Sequence, residues 1–327
     1  MRPFTHFNAS SVKEVCKLLA EYEGRAVLNA GGTDLLGTLK GDNLFEYPKA
    51  LINIKTIRGL DKIVESKGTL RIGALAKLSA LVISPLLNER YPVLAEAART
   101  VAMPQIRNAA TIGGNLCQDV RCWYYRYPRH IGGPILCARK GKGPCLAVKG
   151  DNRYHALMGA KKCFAVCPSD TAVALAALDG QIKITGPEGE RSIAVTEFYS
   201  PMGNSLKKGE MVTGVEVPSV ADHSKQTFLK FTLRKPVDFA IVSVATVITA
   251  KDGVCMEARV ALGAVAAGPV RATKAEKILV GRPVDDMAAA DAAEAALAGA
   301  KPLSMNAYKI EIAKTLVKRA ILQSRQP

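Results

Sequence analysis

Two periods of hydrophobic and polar alternation run along this chain, and each marks its own kind of element. Val12, Val15, Cys16 and Leu19 recur at helical spacing behind Ser11-Val12-Lys13-Glu14. A Ser followed three residues later by Glu is a capping-box pattern, so a helix is predicted from about residue 12 with Cys16 in its apolar face. Ala26-Val27-Leu28 and Leu51-Ile52-Asn53-Ile54 read as short strands, and Leu70-Arg71-Ile72-Gly73 as a third with period-two alternation. Residues 75–82 and 93–102 follow helical spacing, and residues 171–178 are apolar all round, as a buried helix is.

The second half continues with strands over 181–184, 210–217, 228–233, 241–249 and 254–262. Cys255 falls in the last of these as a core residue. Helices are predicted over 270–279, 287–298 and 307–322, with Tyr308, Ile312, Leu316 and Ala320 marking the face of the last. The polar stretch from Pro218 to Lys225 suggests a domain boundary. There are no tandem repeats.

Composition narrows this picture. A chain of 327 residues with 48% hydrophobic content can build two domains, each with a core. No apolar run approaches the roughly 20 residues that span a bilayer. The opening Met1-Arg2-Pro3-Phe4-Thr5-His6-Phe7 has no apolar signal core, so the cytoplasm is expected. Thiols stay reduced there, and the eight cysteines read as metal ligands or small buried hydrophobes rather than disulfides. The formal charge of +16 admits nucleic acid, a membrane surface or an acidic partner. Its distribution is uneven: residues 121–162 carry ten Lys and Arg against one acid, Asp151. The segment from Lys301 carries six against Glu311. Such patches are either solvated faces or, in the central segment, a charge balance for an anionic metal centre.

Three motifs carry candidate chemistry. After the strand at residue 26 comes Asn29-Ala30-Gly31-Gly32-Thr33-Asp34. Two glycines there permit positive φ and an anion-binding nest of N–H groups. The segment does not fit G-x-G-x-x-G, which disfavours a Rossmann domain. About 80 residues later, Ala110-Thr111-Ile112-Gly113-Gly114-Asn115 repeats the pattern. Two such turns could clamp one pyrophosphate, as a flavin dinucleotide requires. The third motif is six cysteines: Cys117, Cys122, Cys137, Cys145, Cys163 and Cys167. Cys117 with Cys122 and Cys163 with Cys167 could pass for zinc-ribbon pairs, though far apart and leaving Cys137 and Cys145 unexplained. The other set, C-x14-C-x7-C-x17-C over Cys122, Cys137, Cys145 and Cys163, suits an iron–sulfur cluster wrapped by a Gly-rich loop. His155 is a competing ligand, and Trp123-Tyr124-Tyr125 would shield a cluster or pack as ordinary core.

Taken together, Asn29-Ala30-Gly31-Gly32-Thr33-Asp34-Leu35, Ala110-Thr111-Ile112-Gly113-Gly114-Asn115, Pro168-Ser169-Asp170-Thr171 and Lys230-x-x-x-Arg234-x-x-x-Asp238-Phe239-Ala240 resemble the FAD-binding subunit of the molybdenum hydroxylases. This is the xanthine dehydrogenase and carbon monoxide dehydrogenase family. The resemblance spans essentially the whole chain. It implies an α+β fold: a two-subdomain FAD-binding domain of the vanillyl-alcohol-oxidase/PCMH type over 1–218, not Rossmann, with subdomains about 1–58 and 59–218. A smaller α+β C-terminal domain of the CO dehydrogenase flavoprotein type would occupy 219–327, its start marked by Ala261-Leu262-Gly263-Ala264 and the residues after it.

The resemblance also implies a site. Val27, Leu28, Asn29, Ala30, Gly31, Gly32, Thr33, Asp34, Leu35, Ala110, Thr111, Gly114 and Asn115 would hold FAD around its diphosphate. Asp170 would accept a hydrogen bond from ribityl or neighbouring hydroxyls, Val212 would pack on the cofactor, and Lys230 would approach the isoalloxazine. The long insertion 117–167 resembles two subgroups with an extra [4Fe–4S] cluster, the β subunit of 4-hydroxybenzoyl-CoA reductase and the flavin subunit of bacterial aldehyde oxidoreductases. In the first the fourth cysteine sits near the position of Tyr154; in the second it precedes the Pro-Ser-Asp turn, which matches Cys163. The cluster ligands implied are thus Cys122, Cys137, Cys145 and Cys163, with Cys117 and Cys167 as packing. Substrate chemistry would belong to a large molybdenum-cofactor subunit, wired by a small subunit with two [2Fe–2S] clusters in a dimer of heterotrimers. Ferredoxin or NAD would be the outside carrier. The rival readings are a free-standing FAD oxidoreductase and a basic, metal-stabilised nucleic-acid-binding protein. The scattered His6, His130, His155 and His223 offer the first no acid–base constellation, and the two Gly-Gly segments are unexplained by the second.

Overall fold

The structure, a computed structural model, describes residues 1–325 apart from 45, 133–134 and 236. The chain opens on a parallel three-stranded sheet in which Ala50–Asn53 lies between Thr5–Asn8 and Ala26–Asn29. The helix Val12–Glu21 packs on it through Val15 and Leu19, while the buried Cys16 turns its thiol to Thr185 O of a later strand. Its capping differs in one detail from the sequence pattern. The Ser11 hydroxyl accepts from Glu14 N, but the Glu14 carboxylate accepts from Ser10 N and Oγ rather than from Ser11.

A five-stranded antiparallel sheet follows, in the order Ile63–Ser66, Thr69–Gly73, Met211–Pro218, Gln181–Gly186 and Gly189–Ala194. Leu70 and Ile72 alternate inward as their pattern requires. The helix expected from residue 75 begins only at Leu78. Residues 74–76 spend their backbone groups elsewhere: Ala74 N donates to Thr213 O and Leu75 N to Leu60 O, while Ala74 O and Ala76 O accept from Gly113 N and Ile112 N. The helix Pro92–Arg99 stops short of the predicted 102, because Ala102 turns to a φ of 46°.

The helix Asp170–Ala177 is buried along its whole length, which is why it shows no polar face. It lies between the five-stranded sheet and a four-stranded antiparallel sheet of Lys225–Phe231, Val242–Lys251, Val254–Gly263 and Val270–Arg271. Val242–Lys251 is covered on both faces. Ala245 and Val247 join the core around helix Asp170–Ala177, and Val242, Val244 and Ile248 join the core under Thr273–Leu279, Asp286–Leu297 and Tyr308–Leu322. Residues 270–271, expected as helix, form the edge strand instead. On the last helix the buried stripe is rotated by one position from the expected one. Lys309, Ala313, Leu316, Val317, Ala320 and Ile321 face inward, whereas Tyr308 is exposed. Cys255 is core. Among the described residues no helix is long and apolar enough to cross a membrane.

Candidate functional site

The strand Ala26–Asn29 delivers the first glycine loop to the carboxyl edge of the parallel sheet, where ligands bind in open sheets of this kind. Its two glycines serve different ends. A Cβ on Gly31 would lie 2.2 Å from Ala109 O, so only glycine lets this loop touch the segment before Thr111. Gly32 holds a φ of +71° and turns the chain into the helix Leu35–Gly41. Asp34 is turned towards the cysteine insertion: it pairs with Arg121 at 2.5 Å and Arg126 at 2.7 Å, and accepts from Asp119 N. Asn29 Oδ1 is buried without a partner.

The second glycine segment is not a repeat of the first. It opens the helix Ile112–Cys117, with Thr111 as N-cap accepting from Gly114 N at 3.1 Å. Neither Gly113 nor Gly114 is in the positive-φ region. Gly113 is needed for packing, since a Cβ there would sit 2.8 Å from Ala74 Cβ. Asn115 turns its side chain inward, where Oδ1 accepts from Ser169 Oγ and Thr171 Oγ1, both at 2.7 Å.

Between these segments lies a cavity of about 830 Å³, within the span of about 300–1,000 Å³ usual for ligand sites. Val27, Leu28, Ala30, Gly31, Gly32, Thr33, Asp34, Leu35, Ala110, Thr111, Gly114, Asn115 and Val212 line it. Asn29, Asp170 and Lys230 do not. Asp170 instead borders a second cavity of about 440 Å³, and its Oδ2 lies 2.7 Å from Lys230 Nζ. Burial pushes the Asp170 carboxyl up, against the opposing pull of Lys230. The two cavities share Arg121, Ala165, Cys167, Pro168 and Phe239 as walls. Arg121 stacks over the Phe239 ring at 4.6 Å, and its Nε is buried without a partner.

Comparison with known proteins identifies the family of the chain. Residues 2–220 match the FAD binding domain in molybdopterin dehydrogenase, and residues 227–324 the CO dehydrogenase flavoprotein C-terminal domain. The chain belongs to the FAD-binding medium subunits of the molybdenum hydroxylases. It is 35% identical to the aldehyde oxidoreductase FAD-binding subunit PaoB of Escherichia coli K12, over 99% of each chain. The carbon monoxide dehydrogenase medium chain of Hydrogenophaga pseudoflava is 28% identical, over 97% of this chain and 96% of that one. Among solved structures, carbon monoxide dehydrogenase from Hydrogenophaga pseudoflava superposes with a TM-score of 0.79 at 28% identity, covering 99% and 98% of the two chains. Quinoline 2-oxidoreductase from Pseudomonas putida 86 gives 0.77 at 27% identity, covering 99% and 97%.

In this FAD-binding subunit all eight cysteines are free. Cys122, Cys137, Cys145 and Cys163 line one small void of about 10 Å³, with Tyr124, Tyr125, Arg139 and Ala165 around them. Among the described residues no three His, Cys, Asp or Glu side chains are gathered closely enough to hold a metal ion. The zinc-pair arrangement is not what the fold makes: Cys117 and Cys167 border the large cavity, away from the void. Both face the surroundings of Tyr199, whose hydroxyl donates to Leu116 O. Burial pushes the Cys117 and Cys167 thiols up to about 12 each, although the Cys117 side chain is open to the cavity it borders. Cys122 is pushed up to about 11 by burial, with Cys163 and Cys145 adding to the rise. His155 borders the second cavity rather than the void, with Nε2 3.3 Å from Cys122 Sγ. Burial and then Lys309 push its imidazole down to about 4, so it is neutral at pH 7.

Of the ten basic residues of the central segment, Arg121, Arg126, Arg139 and Lys140 are withdrawn from solvent, and the other six are exposed. Arg121 and Arg126 pair with Asp34, and Arg139 with Asp119 at 2.8 Å. Sequence reading did not single out Arg121, Arg139, Tyr199 or Phe239, which border the cavities. Phe239 stood within a quoted motif, and the other three had no local signal. Ala165 is part of the wall of all three hollows.

Proposed function

We propose that this chain holds one FAD in the large cavity and one [4Fe–4S] cluster on Cys122, Cys137, Cys145 and Cys163, and carries electrons between a molybdenum-bearing partner and an external carrier. The observation that carries the reading is that Gly31, Thr111 and Val212, remote in sequence, line one cavity whose neighbour is a void walled by four thiols. The cavity fits a dinucleotide flavin. Gly31 and Gly32 bring backbone to its wall, and Arg121 offers a buried Nε with no protein partner. The donor set fits a cubane, which binds one thiolate at each of four irons and so keeps them apart. The void is smaller than such a cluster. The short turns Ala138–Lys140 and Leu146–Val148 follow Cys137 and Cys145.

Bound FAD supplies exchange between two-electron and one-electron carriers. The residues of this chain position and insulate it. Val212, Met211 and Tyr199 give apolar walls, and Phe239 under Arg121 divides the large cavity from the second. The Asp170–Lys230 pair braces the wall between the buried helix and the C-terminal sheet instead of lining the large cavity. Tyr125, Arg139 and Ala165 border the large cavity and the thiol void alike and form the partition between the two centres.

In this reading the FAD-binding domain spans 1–218 with its insertion at 117–167, and the C-terminal domain spans 219–327. The subunit works with a large molybdenum-cofactor subunit and a small subunit carrying two [2Fe–2S] clusters, in a dimer of heterotrimers in the cytoplasm. The names "subunit" and "medium chain" of the relatives support such an assembly. Ferredoxin is the favoured carrier over NAD, because flavin alone already serves NAD by hydride transfer. Anaerobic purification followed by FAD, iron and acid-labile sulfide counts tests the proposal. About four iron, four sulfide and one FAD per chain are expected. FAD without iron removes the cluster and with it the ferredoxin argument.

A further inference from the structure

Resting on that cluster reading, we infer that His155 is not a fourth ligand but a hydrogen-bond donor to the Cys122 sulfur that raises the cluster's reduction potential. Its Nε2 lies 3.3 Å from Cys122 Sγ, a hydrogen-bonding separation for sulfur. The approach is from outside. Cys122 borders both the thiol void and the second cavity, whereas His155 borders only the second cavity. A ligand would face the void as the four cysteines do.

The ring is fixed in that position. His155 is 3% exposed, and its ring meets Trp123 and Tyr124 with centroids at 5.7 and 6.4 Å. Its backbone is held from both sides. His155 N donates to Asn152 O at 3.0 Å, and His155 O accepts from Lys309 Nζ at 3.0 Å and Asn306 Nδ2 at 3.1 Å. Lys309 is anchored in turn on Ala264 O. These bonds hold the His155 backbone in place, two of them from the C-terminal domain, and the imidazole packs against the rings of Trp123 and Tyr124. Nδ1 has no protein partner, which leaves the Nε2–H as the proton that the ring directs at sulfur.

A hydrogen bond to a cluster thiolate withdraws charge from sulfur and favours the reduced, more anionic state. The Nε2–H therefore shifts the potential upward without entering the coordination sphere. It also links the potential to the packing of Tyr308–Leu322, since Lys309 holds the histidine from that helix.

The test is a redox titration of the cluster, followed by electron paramagnetic resonance, in the anaerobically purified complex containing the full chain. His155→Phe is expected to lower the reduced-to-oxidised ratio at fixed potential about tenfold, a shift of roughly 59 mV for one electron. His155→Gln, which keeps an N–H donor, is expected to recover most of it. Iron, sulfide and FAD contents stay at wild-type levels in both. An unchanged potential in His155→Phe with iron intact overturns the inference. Iron loss in both variants while Cys163→Ser retains iron overturns it differently, by making His155 a ligand. Absence of iron and sulfide from the wild-type complex is a separate result, and it is the cluster reading that fails there.

Discussion

Lys230 Nζ lies 2.7 Å from Asp170 Oδ2, with both side chains almost wholly buried. The pair joins the first residue of the buried helix to the first strand of the C-terminal sheet, and Lys230 also donates to Thr100 O. A buried ion pair is weak support for stability but strongly resists being broken on one side. Lys230→Met is expected to cost about 3–5 kcal/mol, because it strands a buried carboxylate. The double variant Lys230→Met with Asp170→Asn should recover much of that loss. Denaturant titration of wild type, Lys230→Met, Asp170→Asn and the double variant measures it, and losses that simply add would show that the pair is not coupled.

Gly31 and Gly37 offer an internal comparison. A Cβ at Gly31 meets Ala109 O at 2.2 Å, while one at Gly37 meets nothing within 4 Å. Gly31→Ala must push the first loop off the Ala109 segment and deform the cavity between them. FAD content is expected to fall severalfold. Gly37→Ala, within helix Leu35–Gly41, should retain FAD and gain roughly 0.5–1 kcal/mol from helix propensity. The FAD-to-protein absorbance ratio separates the two; equal retention would place the cofactor away from this loop.

How far the sequence carried this structure depends on the range of each interaction. The Ser11 cap, the inward Leu70 and Ile72, and the all-apolar helix Asp170–Ala177 are set by neighbours within a few residues, and pattern alone finds them. The Gly-Gly pair at 113–114 looks identical to that at 31–32, yet one opens a helix against Ala74 and the other makes a turn against Ala109. Which use a dipeptide serves depends on a partner distant in the chain. The Asp170–Lys230 bond, across 60 positions, is unreadable for the same reason. Strand Thr5–Asn8, mostly exposed, has no alternation to announce it and exists through pairing with Ala50–Asn53. The four thiols of the void are a midway case. Spacing left several pairings open, and only folding sorts Cys117 and Cys167 onto one cavity and the other four onto another.

Lys309 gives a pH dependence with a definite sign. It is fully buried, bonded to two carbonyl oxygens, and burial pushes its ammonium down to about 7 from 10.5. Between these two values the unfolded chain binds more protons than the folded one, so stability rises with pH through that window. Below about 7 both states are protonated and the burial cost is constant. Wild type should therefore gain stability from pH 7 to 10 relative to Lys309→Met, by an amount on the order of 4 kcal/mol. Parallel stability curves for the two proteins would mean that the two carbonyls fully compensate the buried charge.

The last prediction separates the six central cysteines. Cys163 borders the void, receives a 3.5 Å contact from Ala165 N, and belongs to the small core with Val120 and Ala165. Cys167, only four residues on, borders the large cavity beside Tyr199. In an extended segment residues two or four apart share a face, yet these two thiols border different hollows. Cys163→Ser is expected to lose most of its iron and keep FAD. Cys167→Ser should keep iron at wild-type level and change the flavin absorption envelope, because its sulfur borders that cavity. The Cys117 thiol, pushed up to about 12, should react slowly with alkylating agents even in FAD-free protein, since little thiolate is present at neutral pH. If Cys167→Ser instead abolishes iron binding while Cys163→Ser does not, the fourth ligand comes from the large-cavity side of the partition, and the two centres are then coupled through Cys167 rather than across Tyr125, Arg139 and Ala165.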